Sequence, residues 1–385
     1  MQTMHPSIML GSYVWAQDRL PQDEFVLRLD ELRAAMDRQG WPAVLVYGDA
    51  REHAGLAYLS NFIPRMRWGM ALLPRTGEAR VLCSMGTRDL PAMRTMTWIS
   101  DVQSGWGPEW EKAFDPWIDR LKSERTVELG TIGFDLMASA LHEQVRRSLG
   151  DRFRLQRADD ILAIPSRRKR PRELTMLRAS CKVLEAATRA FADSWRGSRA
   201  PETAALDGER VARSLAAQDV RTLISLDGGR TLVPYQGRFE EKTGPLVGYI
   251  AVKVAGYWAD MFITVDDGPA TPASRHAEAA LDALIASVRP GARSGEIYAR
   301  TVDALRPSEL HPVLGASVGH GIGLSLHEQP EFRAAGDSAL VEDGVYALQV
   351  GVADAQSGHV LMSAIVRNTR KGAEVLARSP SIAAA

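Results

Sequence analysis

Gly319-His320-Gly321-Ile322-Gly323-Leu324-Ser325-Leu326-His327-Glu328-Gln329-Pro330 is the stretch of this sequence whose residue types and spacing point most directly to chemistry. Two imidazoles stand seven residues apart, the second followed at once by a carboxylate, and glycines bracket the first. Glycine lets the backbone approach a ligand closely. A neutral imidazole can ligate a metal or move a proton near neutral pH. A histidine beside a carboxylate is a proton-transfer pair. Residue type alone leaves a structural role equally open for both histidines, with His327-Glu328 then bracing a sheet. The glycine turn Asp227-Gly228-Gly229-Arg230 adds an arginine that could grip a carboxylate or simply be solvated.

Such groups need elements to hold them, and the apolar spacing supplies candidates. Phe25, Leu27, Leu29, Leu32 and Met36 recur closely enough to helical spacing to predict a helix from Glu24 to about Gly40. Ala43 to Tyr47 reads as a buried strand, and Gly69 to Pro74 and Ala79 to Cys83 as two more around the turn Arg75-Thr76-Gly77. Helices over Glu109 to Leu121 and Met137 to Leu149, with a strand at Thr131 to Phe134 between them, complete an alternating α/β pattern. The basic run Ser166-Arg167-Arg168-Lys169-Arg170-Pro171 suits neither a strand nor a helix interior and marks a domain boundary. Leu174, Leu177, Cys181, Leu184 and Phe191 then mark a helix with proline in its first turn. Beyond residue 220, strand-like segments (Val247 to Val254, Met261 to Val265, Val345 to Val350, Val360 to Val366) alternate with helices at His276 to Val288 and Glu296 to Leu305, an α+β texture.

A chain of 385 residues exceeds what one core usually organises, so two domains are expected, at 1–163 and 164–385. Its 47 basic and 47 acidic residues leave no net field to attract nucleic acid or an anionic membrane, and neither is expected as a partner. Cys83 and Cys181 are too few for a disulfide framework or a zinc cluster, and buried, inert thiols are expected. No window approaches the roughly 18 apolar residues of a membrane span, and the N-terminus lacks a signal-peptide pattern. A cytoplasmic location is the resulting expectation.

The histidine segment resembles the Gly-His-Gly-Ile-Gly...His-Glu-x-Pro signature of the creatinase/prolidase/methionine-aminopeptidase, or pita-bread, family almost letter for letter. Arg168 to Leu177, Gly256-Tyr257-Trp258-Ala259-Asp260, Arg289-Pro290-Gly291-Ala292 and Gly372-Ala373-Glu374-Val375-Leu376 resemble further family segments in the expected order. The resemblance implies an α/β N-terminal domain plus an α+β pita-bread C-terminal catalytic domain. It also implies a homodimer whose N-terminal domain completes the partner's site.

Most enzymes of this family hold two divalent ions with two aspartates, one histidine and two glutamates. Carried over by position, the second aspartate falls on Asp260 and the histidine on His320. The first aspartate falls on Tyr249, and the two glutamates fall on Gln349 and Ser363. With three anionic ligands missing, no dinuclear metal site and no other cofactor is expected, a single weakly held metal at Asp260 and His320 being the alternative. Creatinase is the family's precedent for metal-free chemistry, but its guanidinium-binding carboxylates fall on Phe262 and Gln349, and the family's upstream histidine falls on Tyr235. Creatine is thereby disfavoured as substrate.

What remains by this mapping is a catalytic set of His320, His327, Asp260, Glu328 and Tyr235. Arg65, Arg67, Arg230, Gln349 and Tyr249 are the candidate substrate-binding residues; the first two lie where the family's N-terminal domain reaches a partner's site. The implied activity is metal-independent hydrolysis or elimination at a small carboxylate-bearing C–N compound. A catalytically inactive binder of a small molecule or peptide is the alternative. A proline-directed metallopeptidase would require a different register at three ligand positions.

Overall fold

The structure, a computed structural model, describes residues 14–237, 244–306, 308–354 and 358–380. It divides into two compact units, Met1–Ser166 and Arg167–Ala385, against the expected division at 163/164.

In the first unit the apolar run becomes β1 (Ala43–Asp49), buried along its whole length. It pairs antiparallel with β2 (Trp68–Pro74), which continues to β3 (Arg80–Cys83) and the parallel strand β4 (Asp101–Ser104). On its other side lie β5 (Val127–Ile132) and β6 (Phe153–Arg157), both parallel, giving the order β4-β3-β2-β1-β5-β6. A strand buried on both faces reads as a continuous apolar run, and this is why β1 carries no alternation. The helix Gln22–Gln39 ends on Gly40 in the left-handed conformation, and its Arg28 is buried in an ion pair with Glu24 at 3.1 Å.

Three expectations are corrected here. Glu109 to Leu121 is two short helices, Glu109–Ala113 and Asp115–Asp119, because Pro116 has no N–H to continue the first ladder. The strand predicted at Thr131 to Phe134 runs earlier, over Val127–Ile132, and Gly133 at φ 74° turns the chain out of the sheet. Ser166 and Arg167, predicted to lie outside any element, close the helix Asp159–Arg167.

The second unit opens with the helix Pro171–Ser198, proline in its first turn as expected, followed by Pro201–Ser214. A three-stranded sheet of β7 (Asp219–Ile224), β8 (Leu246–Val254) and β9 (Tyr257–Val265) packs on it. Gly248 marks the helix-facing side of β8, since a Cβ there would lie 2.7 Å from the Phe191 ring. Side chains alternate across a strand, so Tyr249 points the opposite way.

After the helices Pro272–Ser287 and Ser294–Leu305 comes β10 (Glu309–Leu310). The second sheet then adds β11 (Gly319–Gly321), β12 (Glu328–Glu331), β13 (Val345–Asp354), β14 (Gly358–Thr369) and β15 (Gly372–Arg378). Their order is β12-β11-β13-β14-β15, with β10 paired to β13. Leu348, Val350, Met362 and Ala364 share one core with Ala277, Leu281 and Leu284 of the covering helix. Period two then turns Gln349 and Ser363, which pair across the two strands, to the face away from that helix. Burying each large side chain of this core contributes roughly 1.5–3 kcal/mol, and the burial fixes which residues remain for the opposite face.

Among the described residues no helix is long and apolar enough to cross a membrane.

A candidate acid–base site in the second unit

The face left over by the two sheets encloses a cavity of about 580 Å³, within the roughly 300–1,000 Å³ of small-ligand sites. Of the residues singled out in the sequence, Asp260, His320, His327, Tyr249 and Gln349 line it together. Asp260 and Tyr249 come from β9 and β8, His320 from β11, and Gln349 from β13, so the sheets rather than loops set most of the positions.

Asp260 is 4 % exposed and His320 2 %. Tyr249 donates its hydroxyl to Asp260 Oδ2 at 3.1 Å, from the position where the family's first aspartate falls. The other oxygen, Asp260 Oδ1, is buried without a hydrogen-bond partner, and so is His320 Nε2. His320 Nε2 lies 3.8 Å from Asp260 Oδ2. A carbonyl can only accept, so the 2.9 Å contact of His320 Nδ1 with the Gly321 carbonyl places the proton on Nδ1. That leaves the Nε2 lone pair as the free basic group.

Burial pushes the Asp260 carboxyl up to about 6, against the opposing pull of His327 and the Tyr249 hydroxyl. The same desolvation lowers His320 and His327. The two imidazoles stack with centroids 3.8 Å apart, so a proton on one disfavours a proton on the other. The combination suits one ionised carboxylate and one proton-accepting imidazole near neutral pH.

Glu328 is placed differently from the expectation, which grouped it with the catalytic residues. It turns out of the lining and pairs at 2.5 Å with Lys169, whose side chain is 3 % exposed. Its second oxygen accepts from the Ser325 amide at 3.3 Å. Gly323 gives this pair its space, because a Cβ there would stand 2.6 Å from both Lys169 Nζ and Glu328 Oε1. The pair therefore braces the turn that carries His327, tying the start of β12 to the segment that leads into the helix Pro171–Ser198.

Tyr235 and Arg230 also lie outside the lining, although their neighbours Thr231 and Leu232 are part of it. Arg230 is exposed and Tyr235 half-buried. Arg65 and Arg67 belong to the first unit, where the Arg67 guanidinium lies over the Trp106 ring at 3.8 Å.

Sequence reasoning missed Leu223, Val313, Leu314, Ser317 and Glu331 in the lining. Glu331 follows the motif's final proline directly, which was a usable signal; the rest come from connections and strand ends that no motif marks. Lys169 was hidden in the basic run that marked the boundary.

A pair of divalent ions needs several anionic oxygens, and this donor set does not fit one. The Ser363 hydroxyl accepts from the Phe262 amide at 2.8 Å and lies outside the cavity lining. Gln349 supplies a neutral amide whose nitrogen donates to the Ser317 carbonyl at 3.4 Å. Among the described residues, no three His, Cys, Asp or Glu side chains are grouped to hold a metal ion.

The second unit matches the model of metallopeptidase family M24 over residues 175–370. YkvY of Bacillus subtilis (strain 168) is 30% identical over 98 residues, so the match spans 26% of this chain and only about a quarter (27%) of that relative. The X-Pro aminopeptidase from Thermotoga maritima MSB8 superposes with a TM-score of 0.76 at 19% identity, over 92% of this chain and 99% of that one. The prolidase from Pyrococcus horikoshii OT3 gives 0.75 at 16%, over 92% and 99%. The N-terminal domain of the FACT complex subunit SPT16 from Cicer arietinum gives 0.68 at 16%, over 92% and 96%. At such identities the structural likenesses establish the fold alone. With its histidine motif, its two-unit architecture and the match across its second unit, the chain belongs to metallopeptidase family M24 and carries that family's pita-bread fold.

Proposed function

We propose that the second unit is a metal-independent acid–base catalyst, a hydrolase or lyase acting on a small carboxylate-bearing C–N compound. The observation that carries this reading is the pair of unpartnered buried atoms, Asp260 Oδ1 and His320 Nε2, on a cavity where a phenol (Tyr249) and an amide (Gln349) stand at two of the family's ligand positions. In hydrolysis, His320 Nε2 takes a proton from water as the water oxygen bonds to the carbon of the C–N bond. The imidazolium then returns that proton to the departing nitrogen, and the C–N bond breaks. Asp260, held by Tyr249, stabilises the transient imidazolium. His327, more exposed than His320 and stacked on it, exchanges the proton with solvent.

The reading includes a homodimer in which Arg65 and Arg67 reach the partner copy's cavity, with Arg230 at the rim as the local grip on a carboxylate. Arg230→Ala is expected to raise KM several-fold with kcat nearly unchanged, the pattern of a lost binding contact. An equal fall in kcat would remove Arg230 from the binding role.

Turnover should also follow the charge on Asp260. A protonated Asp260 cannot stabilise the imidazolium, so kcat/KM is expected to fall as the pH drops through about 6. The Tyr249 hydrogen bond lowers the Asp260 carboxyl. Tyr249→Phe should therefore move the acid limb to higher pH, and an unmoved limb would show that Asp260 does not govern the rate.

The function itself is tested by screening amide, guanidino and N-substituted amino-acid compounds with purified protein, with and without EDTA. Turnover unaffected by the chelator supports the reading. Turnover that vanishes with EDTA and returns with manganese refutes it.

A further inference from the structure

Part of the lining beside Asp260 and His320 is apolar. Leu232, Phe262 and Val313 are only partly buried, packed against a small core of Val247, Leu314 and Leu361, and they turn their remaining surface to the cavity. Among the described residues, the lining contains two carboxylates, Asp260 and Glu331, and no lysine or arginine. A carboxylate drawn inside would be desolvated without a cationic partner and would meet charges of its own sign. An uncharged group with an aryl or branched alkyl body would cover apolar surface at about 0.8 kcal/mol per buried CH₂.

We infer that the cavity selects substrates whose reacting C–N end is uncharged and joined to an apolar body, leaving any carboxylate outside at the rim beside Arg230. A zwitterionic dipeptide fits this lining poorly, since both of its termini flank the peptide bond and its carboxylate would follow that bond inward. The inference rests on the proposed site and specifies the substrate class it takes.

Equilibrium binding to the full chain, in EDTA throughout, tests this with three probes: phenylacetamide, phenylacetate and acetamide. Phenylacetamide is expected to bind at least about tenfold more tightly than either of the others, the amide over the acid for charge and over acetamide for the apolar body. Leu232→Ser, a loop residue outside the catalytic set, should narrow the gap between phenylacetamide and acetamide and leave the discrimination against phenylacetate in place. Phenylacetate binding as tightly as the amide overturns the inference, as does acetamide matching phenylacetamide. Should Leu232→Ser not fold, Val313→Thr provides the same comparison, and an unchanged gap in a folded variant also overturns it. No turnover is involved, so chelator-sensitive catalysis would refute the proposed function and leave this selectivity standing, whereas failed selectivity would leave metal-free catalysis standing.

Discussion

Asp260→Asn is expected to make the protein more stable and less active at once. Burial holds the Asp260 carboxyl at about 6 against an ordinary 3.8, so the folded state retains its proton over a range where the unfolded chain has lost it. Stability therefore declines as pH rises from about 4 to about 6, and above 6 the full penalty is present. Each factor of ten in the proton equilibrium is about 1.4 kcal/mol, which makes the penalty about 3 kcal/mol at pH 7.5. Asparagine carries no charge to desolvate, so denaturant unfolding should show the variant stabilised by about that amount at pH 7.5, with the gain shrinking towards pH 4. Turnover should fall about 10²–10⁴-fold, and His320→Ala should lose a comparable factor without the gain in stability. A destabilised Asp260→Asn variant would show that the carboxylate is satisfied in the fold and is not held in reserve for chemistry.

Lys169→Met is expected to cost about 3–5 kcal/mol, because it leaves Glu328 without the charge that compensates it. The double variant Lys169→Met with Glu328→Leu should recover most of that loss, since apolar replacement of both partners of a buried pair is often neutral. Urea unfolding of the two single variants and the double variant checks this. A single-variant loss below about 1 kcal/mol would show that the pair behaves as a surface ion pair. The folded double variant should still turn over more slowly than the wild type, because the turn bearing His327 has lost its brace.

The parts of this molecule that were legible in the sequence are those dictated by short-range pattern. Ala43 to Tyr47 announced β1 by its unbroken apolar run, and Pro171 announced the long helix because a proline is well suited to a first turn. The fold and the family were legible from the motif Gly319 to Pro330. Asp260, Tyr249 and Gln349 were singled out only through the family resemblance, by carrying over its ligand positions, and all three lie in the cavity lining. The place of Glu328 was not legible, because nothing local distinguishes a carboxylate aimed into a cavity from one aimed at a lysine 159 residues away. Nor was that of Tyr235, which sits in a connection where no period sets the direction of a side chain. The helix Pro201–Ser214 and strand β7 were passed over, and the apolar wall of the cavity is assembled from β7, β9 and loops that no motif marks.

Metal content is the most direct test of the account, whose central claim is that Tyr249, Gln349 and Ser363 leave Asp260 and His320 with too little negative charge to hold paired cations. Protein produced in medium supplemented with manganese, cobalt and zinc, then gel-filtered and subjected to elemental analysis, is expected to carry no stoichiometric divalent ion. Two divalent ions per chain, lost together on substitution of Asp260, would contradict it.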